Sequence, residues 1–349
     1  MAADVSAPSL ATRIKRPSLI SGLGLLFVIA LLAWLAVNLA KTPSDFVEVL
    51  LIGITTGCVY ALVALGYTLV YGILELINFA HGDVFMLGGM LVATMTTDWA
   101  LASKSGAVLW LFILLMLLIA MAFCATINTT IEIVAYRRLR NAPRLAPLIT
   151  AIGMSFILQN IGLVWKGARP TSVPDILPHG AVFTIAGVPY TWNRFIVLLF
   201  TIPVLLALMW LVQRTRHGKA MRATAQDREA AAMMGISVNR TISFTFFLAG
   251  SLAGSAALLY ALYITNIRYT EGFRVGLIAF TAAVLGGIGN LPGAVLGGLV
   301  IGFVESFNNG LGWHAPGSDW TQSIIFAILI LILVFRPEGI LGEQTPEGA

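Results

Sequence analysis

The chain has 349 residues and a net charge of +5, with 11% charged and 58% hydrophobic residues. An ordinary soluble domain carries roughly 25% charged residues, and a fold this apolar would expose large patches to water, so a lipid-embedded protein is expected. The basic residues form no stripe interleaved with aromatics, which argues against a nucleic-acid partner.

Residues 1–18 hold Arg13, Lys15 and Arg16 ahead of an apolar run from Leu19 to Ala40. That run exceeds the roughly 7–15 apolar residues of a cleaved signal peptide, so an uncleaved first helix is predicted. Apolar segments then recur at 47–74, 77–97, 107–136, 146–165, 195–212, 240–265, 275–288, 293–307 and 322–335. Together they give an all-α polytopic fold of about ten transmembrane helices within residues 19–342, followed by a short tail at 343–349. Gly286, Gly287, Gly289, Asn290, Pro292 and Gly293 divide the stretch 275–307. A proline inside a helix removes a hydrogen bond and clashes with the preceding turn, so two short or broken helices are expected there.

With the N-terminus inside, 14 of the 21 basic residues fall on cytoplasmic segments, including Arg137, Arg138, Arg140, Arg144, Arg214, Arg216 and Arg336. This bias puts both termini in the cytoplasm. Glycine pairs such as Gly53/Gly57, Gly250/Gly254 and Gly298/Gly302 predict close helix packing. A Gly-Gly echo at Gly88-Gly89, Gly286-Gly287 and Gly297-Gly298 leaves an internal repeat open. Cys58 and Cys124 read as small buried hydrophobes, and no metal or cofactor site is expected.

Ionisable groups inside a bilayer are costly and mark function. Glu132, near the inner end of the fourth span, is the case considered, and its neighbour Arg137 makes it ordinary. The scarcity of such groups argues against a proton-coupled carrier. Uncharged polar residues gather in the fifth span: Thr150, Ser155, Gln159 and Asn160. Each either bonds helix to helix or lines a path. Thr55, Thr56 and Tyr60 pose the same choice between packing and path. Asn78 is a candidate N-cap, and His81 either senses substrate or pH or ties down a turn.

The longest inner loop, 213–239, is rich in helix formers from Ala220 to Met234 and ends at Gly235. Ala223, Asp227, Ala230, Ala231 and Met234 can share one small, weakly apolar helical face, suited to a partner's groove. Its order Glu229-Ala230-Ala231, three residues, Gly235 resembles the EAA signature of ATP-binding-cassette importer permeases. Gly218-Lys-Ala-Met-Arg222-Ala-Thr-Ala-Gln-Asp227, Asn78-Phe79-Ala80-His81-Gly82 and Ala279 to Asn290 resemble LivH-type permeases of branched-chain amino acid importers. The resemblance runs from about residue 47 to Gly342.

It implies a type II importer fold in the bacterial inner membrane, with Arg222, Asp227, Glu229, Ala230, Ala231 and Gly235 coupling to an ATPase. The fifth helix would line the path between two permease subunits. The implied partners are a second homologous (LivM-like) permease, two cytoplasmic LivG/LivF-like ATPases and an extracytoplasmic binding protein. Gly218-Lys219 is followed by Ala220 and no phosphate-cradling loop occurs, so ATP hydrolysis falls to those partners. Branched-chain amino acids are the expected substrate, with urea or short amides as the alternative. A self-sufficient carrier or channel is the rival from another class.

Overall fold

The computed structural model describes residues 19–140, 142–143 and 145–342. The N-terminal segment, Arg144 and the 343–349 tail lie outside the described residues. The helices are α1 (Leu19–Lys41), α2 (Pro43–Leu74), α3 (Ala80–Asp98), α4 (Gly106–Ile131), α5 (Leu145–Lys166) and α6 (Trp192–Arg214). There follow α7 (Arg216–Gln226), α8 (Arg228–Met233), α9 (Val238–Ile264), α10 (Glu271–Gly286), α11 (Leu291–Gly310) and α12 (Ser318–Phe335). A π-helical turn at Glu132–Tyr136 extends α4. Four short strands pair off, β1 (Thr171–Ser172) with β4 (Asn266–Ile267), and β2 (Ala181–Ile185) with β3 (Val188–Thr191). These ribbons were not legible in the sequence.

Seven of the described helices are long and apolar enough to cross a bilayer: α2, α4 with its extension, α5, α6, α9, α11 and α12. The apolar runs put α3 and α10 on the same footing, but neither is both long and apolar enough to be counted among these. At 16 residues α10 is about 24 Å long, short of a hydrocarbon core of roughly 30 Å. The buried first turn of α3 carries His81 and Asp83. Both are largely buried among longer helices.

The break between α10 and α11 has a local cause. Gly287 and Gly289 take positive φ, and the Asn290 side chain accepts from the Gly293 amide at 3.0 Å while Pro292 occupies the first turn. Glycines then bring helix axes together. Gly53 and Gly57 of α2 meet Phe303, Leu299 and Gly298, whereas Gly250 and Gly254 of α9 meet Ala125, Cys124, Ala120 and Met121 of α4. Both pairs are antiparallel.

These pairings repeat. Helix α2 packs on α11 as α9 packs on α4; α2 packs on α10 as α9 packs on α3; and α3 and α10 pack on each other. Exchanging α2–α4 with α9–α11 therefore preserves the main helix pairings, the signature of an internal structural repeat. The Gly-Gly echo follows it poorly: Gly297-Gly298 lies in α11, the counterpart of α4 and not of α3, and Gly286-Gly287 closes α10 whereas Gly88-Gly89 sits in the middle of α3. Small residues recur wherever backbones approach, whatever the repeat.

Candidate translocation path and coupling site

The two short helices meet at their first turns. After Glu75 ends α2 with a left-handed residue (φ 55°), the chain doubles back, so that His81 lies against Gly66, about 12 Å before the end of α2. Helix α10 likewise starts beside Tyr260, inside the end of α9. A Cβ on Gly82 would sit 2.3 Å from the Gly272 carbonyl oxygen and 2.7 Å from Gly276 Cα. Backbone touches backbone here, and only glycine permits it.

Asp83, fully buried, stands at this junction. Its Oδ2 accepts from Ser155 Oγ, which in turn accepts from Gln159 Nε2 at 3.1 Å. Its Oδ1 faces Gly272 of α10 and has no hydrogen-bond partner among the described residues. A carboxylate in the first turn of one helix and beside the first turn of another offsets the partial positive charge of both. The expected scarcity of ionisable groups within the apolar runs is thereby corrected: Asp83 and Glu132 are fully buried there, and Glu305 lies half-buried in another such run.

His81 neither caps nor braces a turn. Both ring nitrogens lack hydrogen-bond partners among the described residues, and the ring meets Tyr67 edge-on at 4.9 Å. Asn78 is not the N-cap of α3, a position taken by Phe79. Its side chain instead donates to Asn128 Oδ1 at 3.2 Å and accepts from Tyr136 Oη at 2.8 Å, while Asn128 donates to the Phe246 carbonyl. The polar group was needed between helices, not at a helix start.

The fifth-span residues divide. Ser155 and Gln159 join Asp83, but Thr150 and Asn160 bond the carbonyls of Ala146 and Phe156 in their own helix. Beside them α5 exposes a broad apolar surface that includes Ile149, Ile152, Phe156 and Val164. Thr55 is buried, bonding Leu51 and the Tyr190 hydroxyl at 3.0 Å, which anchors the β2–β3 ribbon to α2. Burial raises the Tyr190 hydroxyl pKa above its ordinary value, opposed by that Thr55 bond.

Thr56 and Tyr60, by contrast, line an open cavity of about 340 Å³ between α2, α9, α10 and α11. Arg274, Glu305, Tyr260, Tyr263, Ser306 and Asn309 add to its polar wall. Tyr60 donates to Glu305 at 2.5 Å, and Arg274 binds Glu271 and the Tyr260 hydroxyl. Sequence reasoning missed Arg274 and Glu305; a charge at the edge of or within an apolar run was the available signal.

On the other side of the molecule Glu132, fully buried, holds Arg137 at 3.1 Å, Arg140, and Ser243 at 2.7 Å. Burial lowers the Arg140 pKa from its ordinary value, and Glu132 counteracts this.

The loop expected to form one helix forms two. Asp227 leaves the helical region and caps α8, accepting from the amides of Glu229 at 2.8 Å and Ala230 at 2.9 Å. The shared face from Ala223 through Met234 is thereby interrupted. An aspartate bonds its neighbours' amides more readily outside a helix than within one. Gly235, at φ +81°, ends α8, and the Ile236 amide reaches back to the Ala231 carbonyl at 3.0 Å. Arg222 donates to the Val212 carbonyl and Arg228 to the Ile73 carbonyl, which ties α7 to α6 and α8 to the end of α2. Ala231 is buried, whereas the Glu229 side chain has no hydrogen-bond partner among the described residues, and Met233 and Met234 are each 82% exposed.

Residues 49–334 match the family model described as branched-chain amino acid transport system / permease component. The chain belongs to this family. It is a multi-pass membrane permease similar to BraD, named a high-affinity branched-chain amino acid transport system permease protein, of Pseudomonas aeruginosa. The two are 39% identical, over 86% of this chain and 97% of the relative. LivH of Escherichia coli is 36% identical over the same shares. A probable branched-chain amino acid transport permease of Methanocaldococcus jannaschii is 27% identical over 80% of this chain and 88% of its own. No solved structure gives a significant match.

Proposed function

We propose that this permease is the membrane subunit of an ATP-driven importer that passes branched-chain amino acids inward across the bacterial inner membrane. It has about ten spans in a type II arrangement, and both termini are cytoplasmic. A homologous permease pairs with it, two ATPases bind its cytoplasmic side, and an extracytoplasmic protein delivers substrate. The ATPases, not this chain, hydrolyse ATP.

The observation that carries the reading is the α7–α8 element. Its short second helix is capped at both ends, tied by Arg228 to α2, and presents Met233 and Met234 outward. Two exposed methionines on a six-residue helix gain little from water and much from a partner's groove. Arg222, Asp227, Glu229, Ala230, Ala231 and Gly235 hold or form this knob. The apolar outer face of α5 supports pairing with a second permease.

Mild-detergent purification from the native membrane tests the reading. Two ATPases and a second permease are expected to accompany the chain, and Glu229→Arg or Gly235→Pro to abolish uptake while leaving it inserted. Recovery of the chain alone, moving solute in ATP-free liposomes, would replace the importer with a self-sufficient carrier.

A further inference from the structure

The cavity between α2, α9, α10 and α11 carries charges of both signs. We propose that it is a binding station for the zwitterionic head of an aliphatic α-amino acid, with Arg274 taking the carboxylate and Glu305 the ammonium. This rests on the importer reading above and adds a substrate-contacting site within this subunit.

Charged side chains inside a membrane domain are usually neutralised by one another. Arg274 is paired with Glu271, and no ion pair joins it to Glu305 across the cavity they share. Arg274 gives Nε to Glu271 at 3.0 Å and Nη2 to the Tyr260 hydroxyl at 3.1 Å, which fixes its plane and leaves Nη1 without an acceptor among the described residues. Glu305 receives one bond, from Tyr60 Oη to Oε2, and Oε1 receives none among the described residues. One wall thus offers free donors on a cation and another a free oxygen on an anion.

The rest of the lining narrows the ligand class. A simple anion would meet Glu305 as well as Arg274, with Glu271 behind it, and a simple cation would meet Arg274. A neutral amide would leave both charges unanswered. A zwitterion satisfies both at once through charge-assisted hydrogen bonds. Ile52, Val59 and Ile264 give the same space an apolar side that suits an aliphatic side chain. The volume of about 340 Å³ falls at the small end of the roughly 300–1,000 Å³ usual for small-molecule sites.

The test uses the complete importer reconstituted in liposomes with its binding protein. Radiolabelled leucine uptake and binding-protein-stimulated ATPase activity are measured for wild type, Arg274→Gln and Glu305→Gln. Each variant is expected to lose uptake by roughly 10- to 100-fold, the scale of a hydrogen bond to a charged group, while ATPase stimulation persists. Wild-type uptake in both variants overturns the site but leaves the importer reading intact. A wild-type complex that moves no branched-chain amino acid defeats the importer reading itself.

A second measurement does not depend on the charge variants folding. Thr56→Cys in the assembled importer is labelled with a membrane-impermeant maleimide. Leucine is expected to protect it, whereas 4-methylpentanoate, lacking the ammonium, and isoamylamine, lacking the carboxylate, are not. Equal labelling with and without saturating leucine, or equal protection by all three, overturns the proposal.

Discussion

Replacing Gly82 by alanine probes the junction on which the two short helices depend. The new Cβ would lie 2.3 Å from the Gly272 carbonyl oxygen and 2.7 Å from Gly276 Cα, whereas ordinary contact begins near 3.4 Å. Both obstacles are backbone, so α3 and α10 must part by about 1 Å. Overpacking of this kind costs about 1–3 kcal/mol. The usual gain of alanine over glycine inside a helix, about 1 kcal/mol, is smaller here because Gly82 sits in the first turn of α3. A net loss of about 1–2 kcal/mol is expected, read as a melting temperature several degrees lower for the purified subunit in detergent.

Gly272→Ala meets the same wall, with Asp83 Cα and the Gly82 carbonyl oxygen each 2.7 Å away. The double variant is expected to cost less than the two singles together, because one separation relieves both clashes. Gly153→Ala in α5, with nothing within 4 Å, serves as the control and is expected to melt at or above wild type. If Gly82→Ala melts like Gly153→Ala, the backbone contact between the half-helices does not exist and the repeat argument loses its centre.

Three further outcomes follow from the geometry. Glu132→Ala leaves Arg137 and Arg140 together without their buried acceptor and is expected to destabilise by about 3–5 kcal/mol in detergent melts; Arg137→Ala, whose side chain is 37% exposed, costs much less. Asp227→Ala removes both capping bonds of α8, about 1 kcal/mol, and is expected to weaken ATPase co-purification while Asp227→Asn retains it. Gly235→Val forces a branched side chain to φ +81°, about 1–2 kcal/mol of strain. Membrane insertion is expected to stay normal and uptake to fall, so unchanged uptake would detach the end of α8 from coupling.

The sequence by itself determined that the chain enters a membrane and roughly where. Segments of about twenty apolar residues are a one-dimensional signal, because a helix satisfies its own backbone and the bilayer asks only for length. The split near Asn290 was legible for the same reason: Gly287, Gly289 and Pro292 act on the backbone locally. The resemblance running from residue 47 to Gly342 foresaw the family.

Only the tertiary structure showed that α3 and α10 are mostly enclosed by longer helices, since an apolar run does not say what surrounds it. It moved Asn78 from a helix cap to a bond between helices, set Thr55 against the β2–β3 ribbon, and broke the helix of the 213–239 loop at Asp227. It also joined Tyr60 on α2, Arg274 on α10 and Glu305 on α11 around one cavity. A charge near the end of one apolar run and another inside a distant one carry no mark of facing each other. That juxtaposition arises from helix packing through Gly57, Gly298 and Gly302, which sets distances no spacing along the chain contains.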